Sequence, residues 1–249
     1  MRVLVAVASA AALLVLTGCA QSVDPIERLG KKAAQRVHPH GPSREQPYRH
    51  WGLTAPLAPA PKPSPRPAPR SAGPGLPPVV DHVRTRDRVV FLTYDDYGST
   101  GAGGERRNQG EQGEQRELSD PRLADMVREL RLPVTVFRTP PERGHFAGRP
   151  YAAQRTEICG HQPRPRSRFL RPLYGAYDTT TLRAAADCGV SALVLWRAST
   201  TTGPLTYARG DHRLTPGDIV RVGPADSTAR LLRGIQGRGL TVGRLEDYL

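Results

Sequence analysis

Apolar residues along the chain form one dense N-terminal run, a long gap, and then a series of short strands and helices. Arg2 precedes an almost purely Val, Ala and Leu stretch over 3–16, broken by a single Ser. That is the length of a signal-peptide core and too short to span a bilayer comfortably. Asp24 and Pro25 suit the start of a short helix, with Ile26, Leu29, Ala33 and Val37 at helical spacing. It should fail by His38-Pro39-His40-Gly41-Pro42, which reads as a solvated linker. Residues 55–78 are Pro-rich and are expected to form a semi-rigid polyproline spacer.

Regular periodicity returns near Val79. Residues 88–94 predict a buried strand that runs into Asp95-Asp96. Residues 101–117 are Gly-, Gln-, Glu- and Arg-rich and predict a loop. Asp120-Pro121 opens a helix through Arg131, with Leu123, Met126, Val127 and Leu130 on one face. Residues 134–137 predict a short strand, whereas 140–165 show no usable period. Asp178 caps a helix over 179–188 that Gly189 ends. Strands at 191–196, 217–222 and 240–242 surround an amphipathic helix over 227–238. Strands alternating with helices argue an α/β fold with a mainly parallel sheet. The expected organisation is a leader (1–18), an N-terminal segment with the short helix (19–54), the spacer (55–78) and one domain (79–249).

Composition narrows this picture. Among 249 residues, 38% are hydrophobic and 6% aromatic, which excludes a polytopic membrane protein and implies a core of Val, Leu and Ala. The net charge of +13 would suit an anionic polymer, but only three of the 36 cations are Lys (Lys31, Lys32, Lys62). Scattered Arg beside abundant Ala, Gly and Pro is what a GC-rich coding sequence produces, and no nucleic-acid partner is expected. Leu16-Thr17-Gly18-Cys19 resembles a bacterial lipobox, in which the Cys is lipidated and becomes the mature N-terminus. That resemblance implies an exported protein tethered through Cys19 at the outer face of the cell membrane; a monomer is expected. Cys159 and Cys188 could pair in such an oxidising compartment or lie apart as small buried hydrophobes.

Two adjacent carboxylates at the C-terminal end of a buried strand mark the place where parallel α/β folds build sites. Thr93-Tyr94-Asp95-Asp96 resembles the first motif of the polysaccharide deacetylase (NodB-homology) family. Val134 to Phe137, Glu157 to His161, Phe169 to Tyr177, Ala192 to Trp196 and Leu214 to Val220 resemble its later segments, in the same order. The ending Gly239 to Leu249 is similar as well. The resemblance implies a distorted, here shortened, (β/α) barrel that hydrolyses N-acetyl or O-acetyl groups on peptidoglycan or chitin-like glycans. It assigns Asp95 as general base, Asp96 and His161 as ligands of Zn2+ or a similar divalent metal, and Arg171 as the residue orienting the base. Tyr174 falls where the backbone N–H helps hold the oxyanion. A metal would polarise the acetyl carbonyl and activate water while Asp95 takes the proton.

The departures gather at this site. The family's second zinc His falls on Pro165, and the His that acts as acid after the GDIV strand falls on Gly223. Tyr97 stands where Gly follows the two Asp, and Arg197 where an Asp follows Leu-Trp. His82, His145 and His212 are the available substitute ligands. A catalytic zinc needs about three protein ligands. The expectation is therefore an envelope lipoprotein with a deacetylase-like domain whose hydrolysis is weak or lost. The alternative is a non-catalytic lipoprotein that binds glycan or a wall polyanion.

Overall fold

The computed structural model describes residues 46–96, 118–138, 144–161, 169–208, 210 and 212–249. Cys19, the helix expected at 24–37, His38, His40 and the 101–117 loop lie outside them, as does Tyr97.

Parallel pairing organises the domain. The helices are α1 (Pro47–His50), α2 (Pro121–Leu130), α3 (Tyr151–His161), α4 (Thr179–Asp187) and α5 (Ala225–Gly237). The strands are β1 (Val79–Val80), β2 (Val89–Asp96), β3 (Val134–Arg138), β4 (Phe169–Leu170), β5 (Ala192–Val194), β6 (Ala198–Ser199), β7 (Thr206–Tyr207), β8 (Ile219–Arg221) and β9 (Thr241–Gly243). One sheet runs β1-β5-β4, and the larger runs β3-β2-β8-β6-β7. Along one edge of β2, β9 pairs with Val89 to Phe91 and β3 with Leu92 to Asp96; β8 takes the other edge. Among the described strands every pairing is parallel except β6–β7, which is antiparallel. This is the α/β class expected.

Strand alternation gives β2 two different faces. Val89 and Phe91 meet Val80, Val194, Ile219 and Tyr248 in a core shared by both sheets. Val90 and Leu92 meet Leu123, Met126, Leu232 and Ile235 of the outer helices. A third cluster joins α3 and α4 to the small sheet through Ile158, Leu182, Ala185 and Leu193. The chain passes from one sheet to the other just after β5. There Leu195 N–H donates to Val80 O and Arg197 N–H to Ile219 O.

Helix ends follow their chemistry. The Asp120 carboxylate accepts from the Arg122 and Leu123 N–H groups, with Pro121 at the first position. Asp178 and Thr181 form a reciprocal capping box. Helix α3 falls within the stretch whose sequence shows no period. Its buried positions are Gln154, Glu157 and Ile158, so two of three inward residues are polar. Gln154 is satisfied by the Arg149 carbonyl and the Thr181 hydroxyl, and Glu157 by the Arg149 guanidinium at 2.6 Å. Cys159 of α3 and Cys188, just after α4, form a disulfide.

The spacer expected at 55–78 is instead fastened to the domain, whose compact unit begins at Glu45 rather than Val79. Trp51 and Leu53 lie in the core, and Trp51 Nε1 donates to Glu129 at 2.7 Å. Gln236 donates to the Ala55 carbonyl, and the Arg66 guanidinium donates to the Asp247 and Tyr248 carbonyls. Ser64 donates its N–H and hydroxyl to Asp87, which also accepts from the Tyr248 hydroxyl. Proline has no N–H, so an extended strap of this composition docks through its carbonyls and occasional side chains.

The strap should respond to pH at both extremes. The Ser64 hydrogen bonds hold the Asp87 carboxyl below its ordinary value. That contribution is complete above the usual Asp range and lost as pH falls through the lowered folded-state value. Burial, followed by the hydrogen bond to Asp87, pushes the Tyr248 phenol up to about 12. Its contribution is complete below the usual tyrosine range and lost as pH rises toward that value. Amide exchange at Ser64 should therefore be slowest at intermediate pH and accelerate, relative to its intrinsic rate, at both ends.

Candidate functional site

Asp95 ends the face of β2 that carries Phe91 and Thr93, directed between the sheets; alternation puts Asp96 on the face of Tyr94. Both carboxylates are buried. Asp95 is held from two sides. Arg171 Nη1 donates to Oδ1 at 3.0 Å, and Arg221 Nε lies 2.6 Å from Oδ2. The Arg171 side chain is 1% exposed and that of Arg221 13%, so this cluster is largely out of water.

Each arginine is fixed by more than the ion pair. Arg171 follows β4, donates through Nε to the Val194 carbonyl and through Nη2 to the Leu195 carbonyl. Its guanidinium lies 4.1 Å from the Phe137 ring centroid and 5.4 Å from that of Trp196. Arg221 ends β8 on the inward face of Ile219, level with Thr93, and its guanidinium lies 4.7 Å from the Trp196 ring centroid. Trp196 is thus a platform for both cations at the crossing between the sheets.

The turn Leu173–Gly175 packs against the same indole: a Cβ at Gly175 would sit 3.6 Å from Trp196. Gly175 has φ +72° and Tyr174 φ +57°, the left-handed region that is uncommon for tyrosine. Tyr174 is 70% exposed. An aromatic held in this conformation and left in solvent has a packing cost without a packing return, which points to a role at the surface.

Of the residues singled out in sequence, the structure brings together Asp95, Arg171 and the turn bearing Tyr174, with Asp96 beside them in the chain. His161 ends α3, and its side chain lies outside the described residues. Arg221 and Trp196 were missed as site residues. Their signal was available in alternation: Arg221 is two residues past inward Ile219, on a strand paired with β2.

The described donors do not assemble a catalytic metal site. Among the described residues, no three His, Cys, Asp or Glu side chains come together. His82 Nε2 donates to Pro216 O at 2.9 Å and lies 3.9 Å from Asp218. Asp218 precedes Ile219, the partner of Phe91, which puts this pair roughly 16 Å from Asp95 at about 3.3 Å per residue. Asp218 itself serves structure, accepting from Thr215 N–H and pairing with Arg197. His145 and His212 are exposed, the latter edge-on to Tyr207.

The position of the missing acid His is closed by backbone. A Cβ at Gly223 would lie 2.6 Å from both Thr200 O and Thr201 Cα. Gly223 N–H donates to the Thr200 hydroxyl, and its carbonyl accepts from Thr228. Gly223→Ala should destabilise the domain by about 1–3 kcal/mol through overpacking, read by thermal unfolding. A His at this position requires the 200–201 backbone to move.

No protein-family model matches the chain. A protein of Streptomyces coelicolor described as uncharacterized is 49% identical over 71% of this chain and 79% of its own length. Solved structures similar to the chain include the Bc1960 peptidoglycan N-acetylglucosamine deacetylase (14% identity, 68% of this chain and 91% of that one, TM-score 0.45). A family 4 carbohydrate esterase from Streptomyces lividans is 20% identical over 62% of this chain and 91% of its own (TM-score 0.43). A mutant of BA3943, described as a family 4 pseudoenzyme with restored activity, is 15% identical over 66% and 68% (TM-score 0.45).

Proposed function

We propose, for a chain that belongs to one family with the uncharacterized Streptomyces coelicolor protein, that its deacetylase-like domain holds envelope glycan without hydrolysing it. One observation carries this reading: both oxygens of Asp95, the residue placed as general base, are engaged by guanidinium groups. A base must present a lone pair to the attacking water. Here Arg171, just after β4, donates to Oδ1, and Arg221 of β8 sets a second cation 2.6 Å from Oδ2, so a water approaching Asp95 meets a guanidinium beside each oxygen. The closed backbone at Gly223 and the distance of His82 from Asp95 point the same way. Support for a sugar as ligand comes from the motif resemblance and from the exposed, strained Tyr174, a ring suited to stacking on a sugar face.

The setting in this reading is the outer face of the cell membrane, with Cys19 as the lipid anchor. The signal-like run before Cys19 supports it, as does the Cys159–Cys188 disulfide, since such bonds persist in oxidising compartments. Replacement of Cys19 by Ser should abolish incorporation of labelled fatty acid.

The functional test uses soluble protein beginning at Ala20 with N-acetylglucosamine oligomers and peptidoglycan fragments. Calorimetric titration should show binding that Tyr174→Ala weakens and Asp95→Asn leaves within about threefold, with no acetate released. Acetate release that Asp95→Asn abolishes would overturn the reading in favour of a hydrolase.

A further inference from the structure

We infer that the end of the domain opposite Asp95 is a docking face for an anionic lipid surface, so that the anchored protein stands on its basic end with the site turned away from the bilayer. The inference goes beyond the glycan reading and shares with it only the membrane setting.

Parallel strands leave their N-terminal ends on one side, and α2 and α5 carry the chain back to it. Arg88 immediately precedes β2 and so lies roughly 23 Å from Asp95, at about 3.3 Å per residue. Its guanidinium donates to the Arg238 and Gly239 carbonyls just after α5. Val83 N–H donates to Gly217 O and Gly217 N–H to Val89 O, which brings Arg84 and Arg86 to the same end. The docking of Ser64 on Asp87 adds Lys62, Arg131 follows the last turn of α2, and Arg233 lies in the last turns of α5 beside Gly52. Cations spread over the sequence are thus gathered by the fold. Lys62, Arg84, Arg86, Arg131, Arg233 and Arg238 are all exposed, and none is ion-paired with a described residue. The acids at this end are fewer. Asp87 is taken by Ser64 and Tyr248, Glu129 by Trp51, Asp81 is half-buried, and Asp247 stays exposed. At the opposite end, where α2 and α5 start, Arg122 instead meets Asp226 at 3.1 Å. Like charges held together repel, and an anionic surface relieves that repulsion while gaining attraction from each cation.

The path of the chain selects a lipid surface over a wall polymer. Helix α1 opens the compact unit, and Trp51, just after it, donates to Glu129 near the end of α2. The unit is therefore joined to residues 20–45, and through them to Cys19, at its basic end. A lipid on Cys19 pulls the domain toward the bilayer by that end. Basic residues beside a lipid anchor strengthen its hold on anionic membranes, and a face of them also fixes the orientation.

The test is cosedimentation of unlipidated protein beginning at Ala20 with vesicles of phosphatidylcholine alone, and with vesicles in which about one third of the lipid is phosphatidylglycerol. Binding should be confined to the anionic vesicles and should weaken as salt rises. Arg84→Gln/Arg86→Gln/Arg238→Gln should weaken it by about tenfold or more. Arg122→Gln/Arg183→Gln/Arg230→Gln, which removes the same charge elsewhere on the surface, should change it by less than about threefold. Should the first triple variant not fold, Arg84→Gln/Arg86→Gln takes its place, with a loss of about fivefold or more. Equal losses in the basic-end and control variants would overturn the inference, because attraction would then follow net charge rather than a face. Equal binding to both kinds of vesicle, or binding to neither, would overturn it as well. A soluble glycerol-phosphate polymer that binds more tightly than the anionic vesicles at equal phosphate, and is lost in the basic-end variant, would overturn it in favour of a wall polymer. Fatty-acid labelling at Cys19 and the glycan titration decide the anchor and the sugar reading separately.

Discussion

Replacing Arg171 by leucine is expected to destabilise the domain by about 3–5 kcal/mol, the range for removing one partner of a buried ion pair. The Arg171 side chain is 1% exposed and that of Asp95 7%, so solvent cannot take over the lost contact. The substitution also deletes the donors to the Val194 and Leu195 carbonyls, at the place where the chain leaves the small sheet. Arg171 thus ties three things together: the end of β2, the end of β5 and the Phe137 and Trp196 rings. Denaturant unfolding of Arg171→Leu, Asp95→Asn and the double variant separates the pair from the rest. The double variant should be more stable than the sum of the singles predicts, because the carboxylate that needed the cation has gone. A loss within about 0.5 kcal/mol for Arg171→Leu would mean that this cluster does not hold the sheets together.

Opening the disulfide should have an effect of similar size. Cys159 and Cys188 are 29 residues apart in sequence, and cross-linking a loop of that length removes unfolded-chain entropy worth about 3–4 kcal/mol. The bond ties α3 to the end of α4, and the α3 interface relies on polar contacts: Gln154 to Thr181, and Glu157 to Arg149. Without the cross-link, a helix with only Ile158 as its buried apolar residue has little else to keep it docked. Cys159→Ser with Cys188→Ser should lower the melting temperature by about 10 °C. Amide exchange should rise first in Tyr151–His161, ahead of the β2 core. Reducing agent applied to the wild type should reproduce both effects.

The parts of the fold legible in sequence were those in which burial is apolar and periodic. Strand β2 announces itself because Val89 to Leu92 are apolar on both faces, each face serving a different core. Helices α2 and α4 were legible from their caps, Asp120-Pro121 and Asp178, whose chemistry acts locally. Helix α3 was not, because its inward face is Gln154, Glu157 and Ile158; pattern reading takes buried polar residues for surface ones. The strap was misread for a related reason. Proline-rich composition fixes an extended backbone but is silent on what it touches, and the docking groups Gln236, Asp87 and Tyr248 lie far away in sequence.

At the site, Asp95 and Arg171 were legible through motifs, and they do meet at 3.0 Å. Arg221 was passed over because its strand was searched for a histidine that the motif places at Gly223. The residue two positions earlier carries the charge instead. The alternation that turns Ile219 inward also turns Arg221 inward, so a search by face rather than by motif would have found it.

The most direct measurement of the central claim is metal content and affinity in soluble protein beginning at Ala20, with Asp96→Ala and His161→Ala as controls. If the domain holds glycan without metal-dependent hydrolysis, the wild type binds zinc well below one per chain, and neither substitution changes what remains. One tightly bound zinc per chain, lost in both variants, would contradict the account and make deacetylation the leading function.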